Sequence, residues 1–236
     1  MSNILVVPDV HGRDFYKSIL ENTTDKIVFL GDYTDPYPYE KLESDDVISA
    51  MMDIFSFAKD NPDRVIVLLG NHDYPYFRKA EGYSRYNKWR AKQYEEIFDE
   101  FRDIFKIAYW DEETQTMFTH AGVVSKWWDS LKMPDMTPQQ ISDYFNNLAL
   151  VDNVYDPLDE VGFSRGGWDR YGSCIWADVT EHLHLKKDEC MLFKQIFGHS
   201  QLKDTGTIIH QNNWWMCDSR CIFKYDGENL EKYLEV

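Results

Sequence analysis

Five short groups of residues in this chain combine carboxylates, imidazoles and an amide in patterns able to hold cations. They are VVPDVHG with Asp9 and His11, VFLGDYTD with Asp32 and Asp35, VLLGNHD with Asn71, His72 and Asp73, MFTHAG with His120, and QIFGHS with His199. Four of the seven histidines fall in these groups, each behind an apolar run, so chance is a poor account of them. In an extended chain the spacing D-x-H puts both side chains on one face, so Asp9 and His11 can grip one cation together. Asp32 has two oxygens and can bridge two cations. Asn71 offers a neutral carbonyl oxygen, and His120 and His199 offer neutral imidazoles. Oxygen and nitrogen ligands without thiolate suit Mn, Fe, Zn or Co better than Ca. Two such ions, about 3.5–4 Å apart in hydrolytic sites, acidify water and neutralise anionic oxygens. Taken singly, Asp9, Asp35 and Asp73 would be turn or cap residues. The shared pattern sets that reading aside for Asp9 and Asp32 and leaves Asp73 structural.

The elements that must position these groups can be read from apolar periodicity. Residues 3–7, 26–30 and 64–69 are short apolar runs bounded by Asp, Pro and Gly, which predicts buried strands. Residues 44–60 space apolar side chains as a helix does, with Ser44 as the expected cap. That order predicts βαβ units. Residues 85–105 read as one long charged amphipathic helix. Beyond it, strands are expected at 106–110, 115–119, 192–197, 207–210, 213–217 and 220–225, some of them in hairpins, and a helix at 137–149. Glycine flanks every ligand group and permits tight turns that aim side chains over strand ends. Residues 125–190, with three prolines and a Gly/Arg/Trp-rich loop at 162–172, read as an insertion that shapes access. With no evident linker, the expectation is one domain over 1–236.

Bulk properties narrow the class. The 236 residues suit one large domain, and 43% apolar with 28% charged residues excludes a disordered or collagen-like chain. The net charge of −16, with no Lys/Arg run, argues against a nucleic-acid backbone as partner. No segment has the length and apolarity to span a bilayer, so no membrane partner is expected. Cys174, Cys190, Cys217 and Cys221 form no CxxC pair, which predicts free thiols and a cytoplasmic protein. His182 and His184 could share a face and bind metal, but a solvent-exposed loop is the expectation. The pairs Trp127-Trp128 and Trp214-Trp215 are expected to pack in the core or at its edge.

The ordered set D-x-H, G-D-x-x-D, G-N-H-[DE], H-A-G and G-H-S resembles the signature of the calcineurin-like metallophosphoesterases, in particular the phosphoprotein-phosphatase branch and its bacterial and phage relatives. The resemblance spans residues 9–200. It implies an α/β fold of two mixed sheets packed as a β-sandwich flanked by helices, in four layers α/β/β/α. It implies two divalent ions, Mn first among the candidates. Asp9, His11 and Asp32 would hold one, and Asp32, Asn71, His120 and His199 the other. His72 is similar to the family histidine that serves the leaving oxygen, and Asp35 to the carboxylate that orients it. The implied chemistry is in-line attack by metal-bound hydroxide on a phosphorylated substrate.

Two departures bear on that reading. The protein phosphatases of the family continue G-D-x-x-D with Arg-Gly and place Arg before G-N-H, whereas here Pro36-Tyr37 and Leu69 stand. Phosphate-binding charge must then come from elsewhere, with Arg165 and Arg170 as the candidates and Arg13 and Arg78 behind them. The diesterase pattern G-H-x-H is also broken, by Gln201. The expected function is a phosphomonoesterase, with a phosphoprotein as one substrate. The alternatives are a dinucleoside polyphosphate or other nucleotide hydrolase, and a non-catalytic binding scaffold. Intact Asp9, His11, Asp32, Asn71, His72, His120 and His199 argue against the scaffold.

Overall fold

Strand and helix alternate up to about residue 106, after which strands follow one another closely, and this change of rhythm builds two sheets. The computed structural model describes residues 3–81, 83–151 and 155–233. Its elements are β1 (Ile4–Val7), α1 (Lys17–Asn22), β2 (Lys26–Phe29), α2 (Ser44–Asp60), β3 (Val65–Leu68), α3 (Tyr74–Arg78), α4 (Ala91–Glu100), β4 (Phe105–Lys106), β5 (Ala108–Asp111), β6 (Thr116–Thr119), α5 (Ser125–Ser130), α6 (Pro138–Leu148), α7 (Val179–Leu183), β7 (Lys194–Phe197), β8 (Ile209–Gln211), β9 (Trp214–Met216), β10 (Phe223–Tyr225) and β11 (Leu230–Lys232).

The first sheet has the order β11-β10-β1-β2-β3-β4, and the second β5-β6-β7-β9-β8. Strands β1 to β4 run parallel, with Val6 opposite Val28 and Val28 opposite Ile66, while β10 returns antiparallel to β1. In the second sheet β6, β7 and β9 are parallel, with antiparallel strands at both edges. Both sheets are therefore mixed. Alternation along the strands makes the layers. Ile4, Val6, Val28 and Leu68 pack with Phe118, Ile196 and Trp215 between the sheets. Leu5, Val7, Ile27 and Phe29 pack outward with Val47, Met51 and Ile54 of α2. Phe55 of α2 is fully buried against Tyr33, Phe98, Phe101 and Phe105; burying such a ring contributes about 1.5–3 kcal/mol. On the far side Trp127 of α5 stacks on Phe145 of α6, and Ser142 donates to the Ala108 carbonyl at 3.0 Å. The four-layer α/β/β/α architecture follows.

Several local expectations need correction. Glu43, not Ser44, is the N-cap of α2, and the Asp46 carboxylate accepts the Glu43 N–H at 2.8 Å. The long helix expected over 85–105 is only α4. Arg85 adopts φ 65°, which no helix accommodates. The Asn87 side chain accepts the N–H groups of Trp89 and Arg90 at 3.2 Å, starting the helix late. His182 lies on α7 rather than in an exposed loop. It is buried, stacks on Phe197 at 4.5 Å and donates from Nε2 to the Ala121 carbonyl at 3.1 Å. His184 is exposed. The four cysteines are free thiols. Among the described residues, no helix is long and apolar enough to cross a membrane.

Between β6 and β7 the described residues form α5, α6, α7 and short 3-10 turns, with one isolated bridge from Gly162 to Asp169. Residues 152–154 of this stretch lie outside the described residues.

Candidate metal centre and active site

The candidate residues follow the C-terminal ends of β1, β2, β3, β6 and β7, so both sheets feed one site. They do not belong to the strands themselves. β1 ends at Val7, and Asp9 and His11 lie in the turn beyond it. Their convergence owes nothing to the two-residue strand period that the D-x-H spacing suggests. It comes from the backbone: His11, Asp32, Asp35 and His199 have φ of 47°, 54°, 53° and 67°, a left-handed region uncommon outside glycine. Two glycines make room. A Cβ on Gly70 would stand 2.1 Å from Asp32 Oδ1, and one on Gly198 would stand 2.3 Å from Asp9 Oδ1.

Two groups of ligand atoms result, Asp9-His11-Asp32 and Asp32-His120-His199, with Asp32 common to both. Asp9, His11, Asp32, Asn71, His120 and His199 are all buried. Backbone carbonyls set the tautomers. His11 Nδ1 donates to Thr34 O at 2.6 Å, and His120 Nδ1 donates to Leu30 O at 2.8 Å. Burial also pushes the His11 imidazole well below its ordinary pKa, so it is neutral. The lone pairs on His11 Nε2 and His120 Nε2 then face Asp32 Oδ2, at 3.4 and 3.5 Å. Asn71 Oδ1 is 3.0 Å from His120 Nε2, and His199 Nδ1 is 3.1 Å from it. A buried carboxylate facing two imidazole lone pairs is repulsive without intervening positive charge. The donor set therefore fits divalent cations.

Asp9 Oδ1 accepts the His199 N–H at 3.0 Å, and Asp32 Oδ1 accepts the His72 N–H at 2.9 Å. These bonds tie the sheet ends to one another. Asp73 accepts N–H groups from Tyr33, Thr34 and Gly70, straps the loops after β2 and β3 together, and is structural, as expected.

Beside the cluster, His72 Nδ1 donates to Asp35 Oδ2 at 3.0 Å, and Tyr76 Oη donates to Asp35 Oδ1 at 2.7 Å. Burial raises the Asp35 carboxyl against the pull of His72. His72 Nε2 thus carries a lone pair, and it receives a hydrogen bond from Arg85 Nη2 at 2.8 Å. Arg85 also donates to the Asp35 carbonyl at 2.5 Å and lies 3.8 Å over the Tyr37 ring. Sequence reasoning missed Arg85 by absorbing it into a helix. Gly82, Ser84 and Asn87 around it were the available signal for a loop.

The arginines singled out from sequence are placed differently from one another. Arg165 reaches the site's edge, donating to Ser200 Oγ at 2.7 Å and to His199 O at 3.3 Å, while its Nε pairs with Asp178 at 2.8 Å. Arg170 is exposed and lines a recess of about 910 Å³ with Lys126, Trp127 and Glu181, away from the ligand atoms. Arg13 donates to Glu40 Oε1 and to the Asp9 carbonyl, and Arg78 pairs with Asp156. Gln201 accepts from Tyr39 Oη at 3.1 Å, outside both ligand groups.

Comparison with known proteins identifies the family and the fold. The calcineurin-like phosphoesterase family matches residues 2–202. No curated protein matches the chain. Among solved structures, the chain is similar to a cold-active protein-tyrosine phosphatase of a psychrophilic Shewanella species, with TM-score 0.61 and 14% identity over 99% of this chain and 81% of that one. It is also similar to a protein serine/threonine phosphatase from Saccharomyces cerevisiae, with TM-score 0.54 and 15% identity over 100% of this chain and 81% of that one. At these identities the likeness speaks for the fold. With the family match over most of its length and a donor set that fits divalent ions, the chain belongs to the calcineurin-like phosphoesterases and is a metal-dependent phosphoesterase.

Proposed function

We propose that this chain is a dinuclear phosphomonoesterase. Asp9, His11 and Asp32 hold one divalent ion; Asp32, Asn71, His120 and His199 hold the other, with Mn the ion expected to load best. When bound, such ions supply positive charge to phosphoryl oxygens and lower the pKa of water. The protein does the rest. Asp35 fixes the His72 ring so that Nε2 faces outward. Arg85 stands on that nitrogen with a guanidinium that matches phosphoryl oxygens in shape and charge. An arriving phosphoryl group competes for Arg85 and frees the His72 Nε2 lone pair, which takes a proton from solvent and passes it to the leaving oxygen.

The observation that carries this reading is the Asp35–His72–Arg85 chain set against the shared carboxylate Asp32. A terminal, doubly charged phosphoryl group makes full use of Arg85 beside two ions. The engagement of Gln201 with Tyr39 also supports the monoester side, since no third histidine completes a diesterase pattern there. A second reading, hydrolysis of a dinucleoside polyphosphate or another nucleotide, is favoured by the exposed rings of Tyr39 and Trp89. We take 1–236 as one domain with residues 125–190 shaping access, because that stretch delivers Arg165 to the site's edge.

The test is to strip the protein, reload it with Mn²⁺, count bound metal, and assay p-nitrophenyl phosphate against bis-p-nitrophenyl phosphate. About two ions per chain with preference for the monoester supports the proposal. Preference for the diester overturns it.

A further inference from the structure

Trp89 is 97% exposed, which is unusual for the largest apolar side chain, yet its backbone is well held. Asn87 Oδ1 accepts its N–H, and the Asn87 N–H in turn donates to Tyr76 Oη at 2.7 Å. That same Tyr76 hydroxyl donates to Asp35. Tyr86 stacks on Tyr76 at 4.6 Å. The segment is therefore fastened to the carboxylate that orients His72, and the indole is presented to solvent from a fixed base.

Beside it lies a recess of about 690 Å³. Asp35 and Arg85 line it together with Pro36, Tyr86, Asn87, Lys88 and Trp89. Arg85 touches His72 Nε2, so the recess opens beside the atoms that would meet a phosphate ester. Its walls combine flat apolar rings with the cations Arg85 and Lys88. On the proposed reading a group seated there lies on the leaving-group side of the phosphoryl position, because His72 Nε2, once released by Arg85 and protonated, serves the leaving oxygen. Flat rings favour a planar ring as occupant, by offset stacking, over an aliphatic chain, which has no ring face to match.

We infer that this recess is a leaving-group pocket selecting phosphomonoesters whose ester oxygen is borne by, or close to, a planar ring, with Trp89 as the stacking residue. The inference rests on the phosphomonoesterase reading for its chemistry, but binding tests it separately from turnover. The ring can be that of phosphotyrosine or the base of a nucleoside monophosphate.

The experiment compares phenylphosphonate with methylphosphonate, two anions that cannot be hydrolysed, by calorimetry on Mn²⁺-loaded wild type, Trp89→Ala and Trp89→Phe. Wild type is expected to prefer phenylphosphonate by about 2–10-fold, the range of an aromatic pair. Trp89→Ala should bring that ratio close to one with methylphosphonate binding unchanged, and Trp89→Phe should keep most of it. Equal weakening of both ligands, an unchanged ratio in Trp89→Ala, or no binding of phenylphosphonate overturns the pocket. Retained ring preference without turnover of any monoester would leave the pocket standing and sink the phosphomonoesterase reading. Competition by phosphotyrosine against a nucleoside 5′-monophosphate then distinguishes the two ring sources.

Discussion

Asp32 and Arg85 face the same space, yet they are held in different ways. Asp32 is 2% exposed, takes the His72 N–H on one oxygen and confronts two imidazoles with the other. Its neighbours are backbone groups and candidate ligands at strand ends of both sheets. Arg85 is half-buried on a segment outside the sheets, held by a carbonyl, a ring face and one imidazole nitrogen. On the proposed reading a phosphoryl group replaces the last of these. Asp32 is thus held by the packing of the two sheets, while Arg85 is held by a loop tied to Tyr76.

The largest effect is expected at Asp32. Asp32→Asn is expected to cut turnover by at least about 10³-fold and to lower metal content below two ions per chain, because the shared charge is lost. Elemental analysis beside a turnover assay decides it, and normal turnover ends the shared-carboxylate account. His72→Asn should retain both ions and slow kcat by about 10²–10⁴-fold. Loss of metal from that variant would move His72 into the centre.

At the rim, Arg85→Ala is expected to lower kcat/KM for a phosphomonoester by about 10²-fold, the scale of a lost charge-stabilising donor, with metal content unchanged. Arg85→Lys should recover little, since an ammonium cannot reproduce the planar fork. Arg165→Ala should cost about tenfold, because its guanidinium is already committed to Asp178 and Ser200. Steady-state kinetics on the pair decides which arginine serves the phosphoryl group, and the reverse order would assign it to Arg165.

The smallest effect on turnover is expected at His182, which supports the turn after His120. Burial lowers its pKa to about 4 against the opposing pull of the Ala121 carbonyl. An unfolded histidine titrates at about 6.5, so the unfolded chain binds a proton there that the folded chain refuses. This contribution to stability is complete above pH 6.5 and falls away as pH drops from 6.5 to about 4. The loss is about 3 kcal/mol. Urea unfolding of wild type and His182→Gln from pH 7.5 to 4 should show a steeper decline for wild type over that window, with equal turnover at pH 7.5. Parallel declines would mean that His182 is not held neutral.

His182 also shows what linear spacing leaves open. An H-x-H pair predicts a shared face only in a strand, and here it lies at a helix end, with one ring stacked on Phe197 and the other exposed. The same limit hid Arg85. Helical spacing over 85–105 was real for α4, but local hydrogen bonds from Asn87 and the left-handed backbone at Arg85 displaced the start of the helix. Periodicity reports which face is buried and is silent about a residue that leaves the period to meet a distant side chain.

Linear order along the chain is enough for the features that depend only on near neighbours. Apolar runs of strand length specified β1, β2, β3, β6 and β7, and the five polar groups behind them specified which residue types could meet a cation. The family match over residues 2–202 rests on that same linear order. Tertiary structure alone decided which atoms face one another. Asp32 Oδ2 stands between His11 and His120 only because two sheets pack face to face, bringing residues 11 and 120 to one carboxylate. Arg85 reaches His72 only because a turn fastened to Tyr76 directs it there. Contacts of this kind join residues far apart along the chain, and no local propensity encodes their distance.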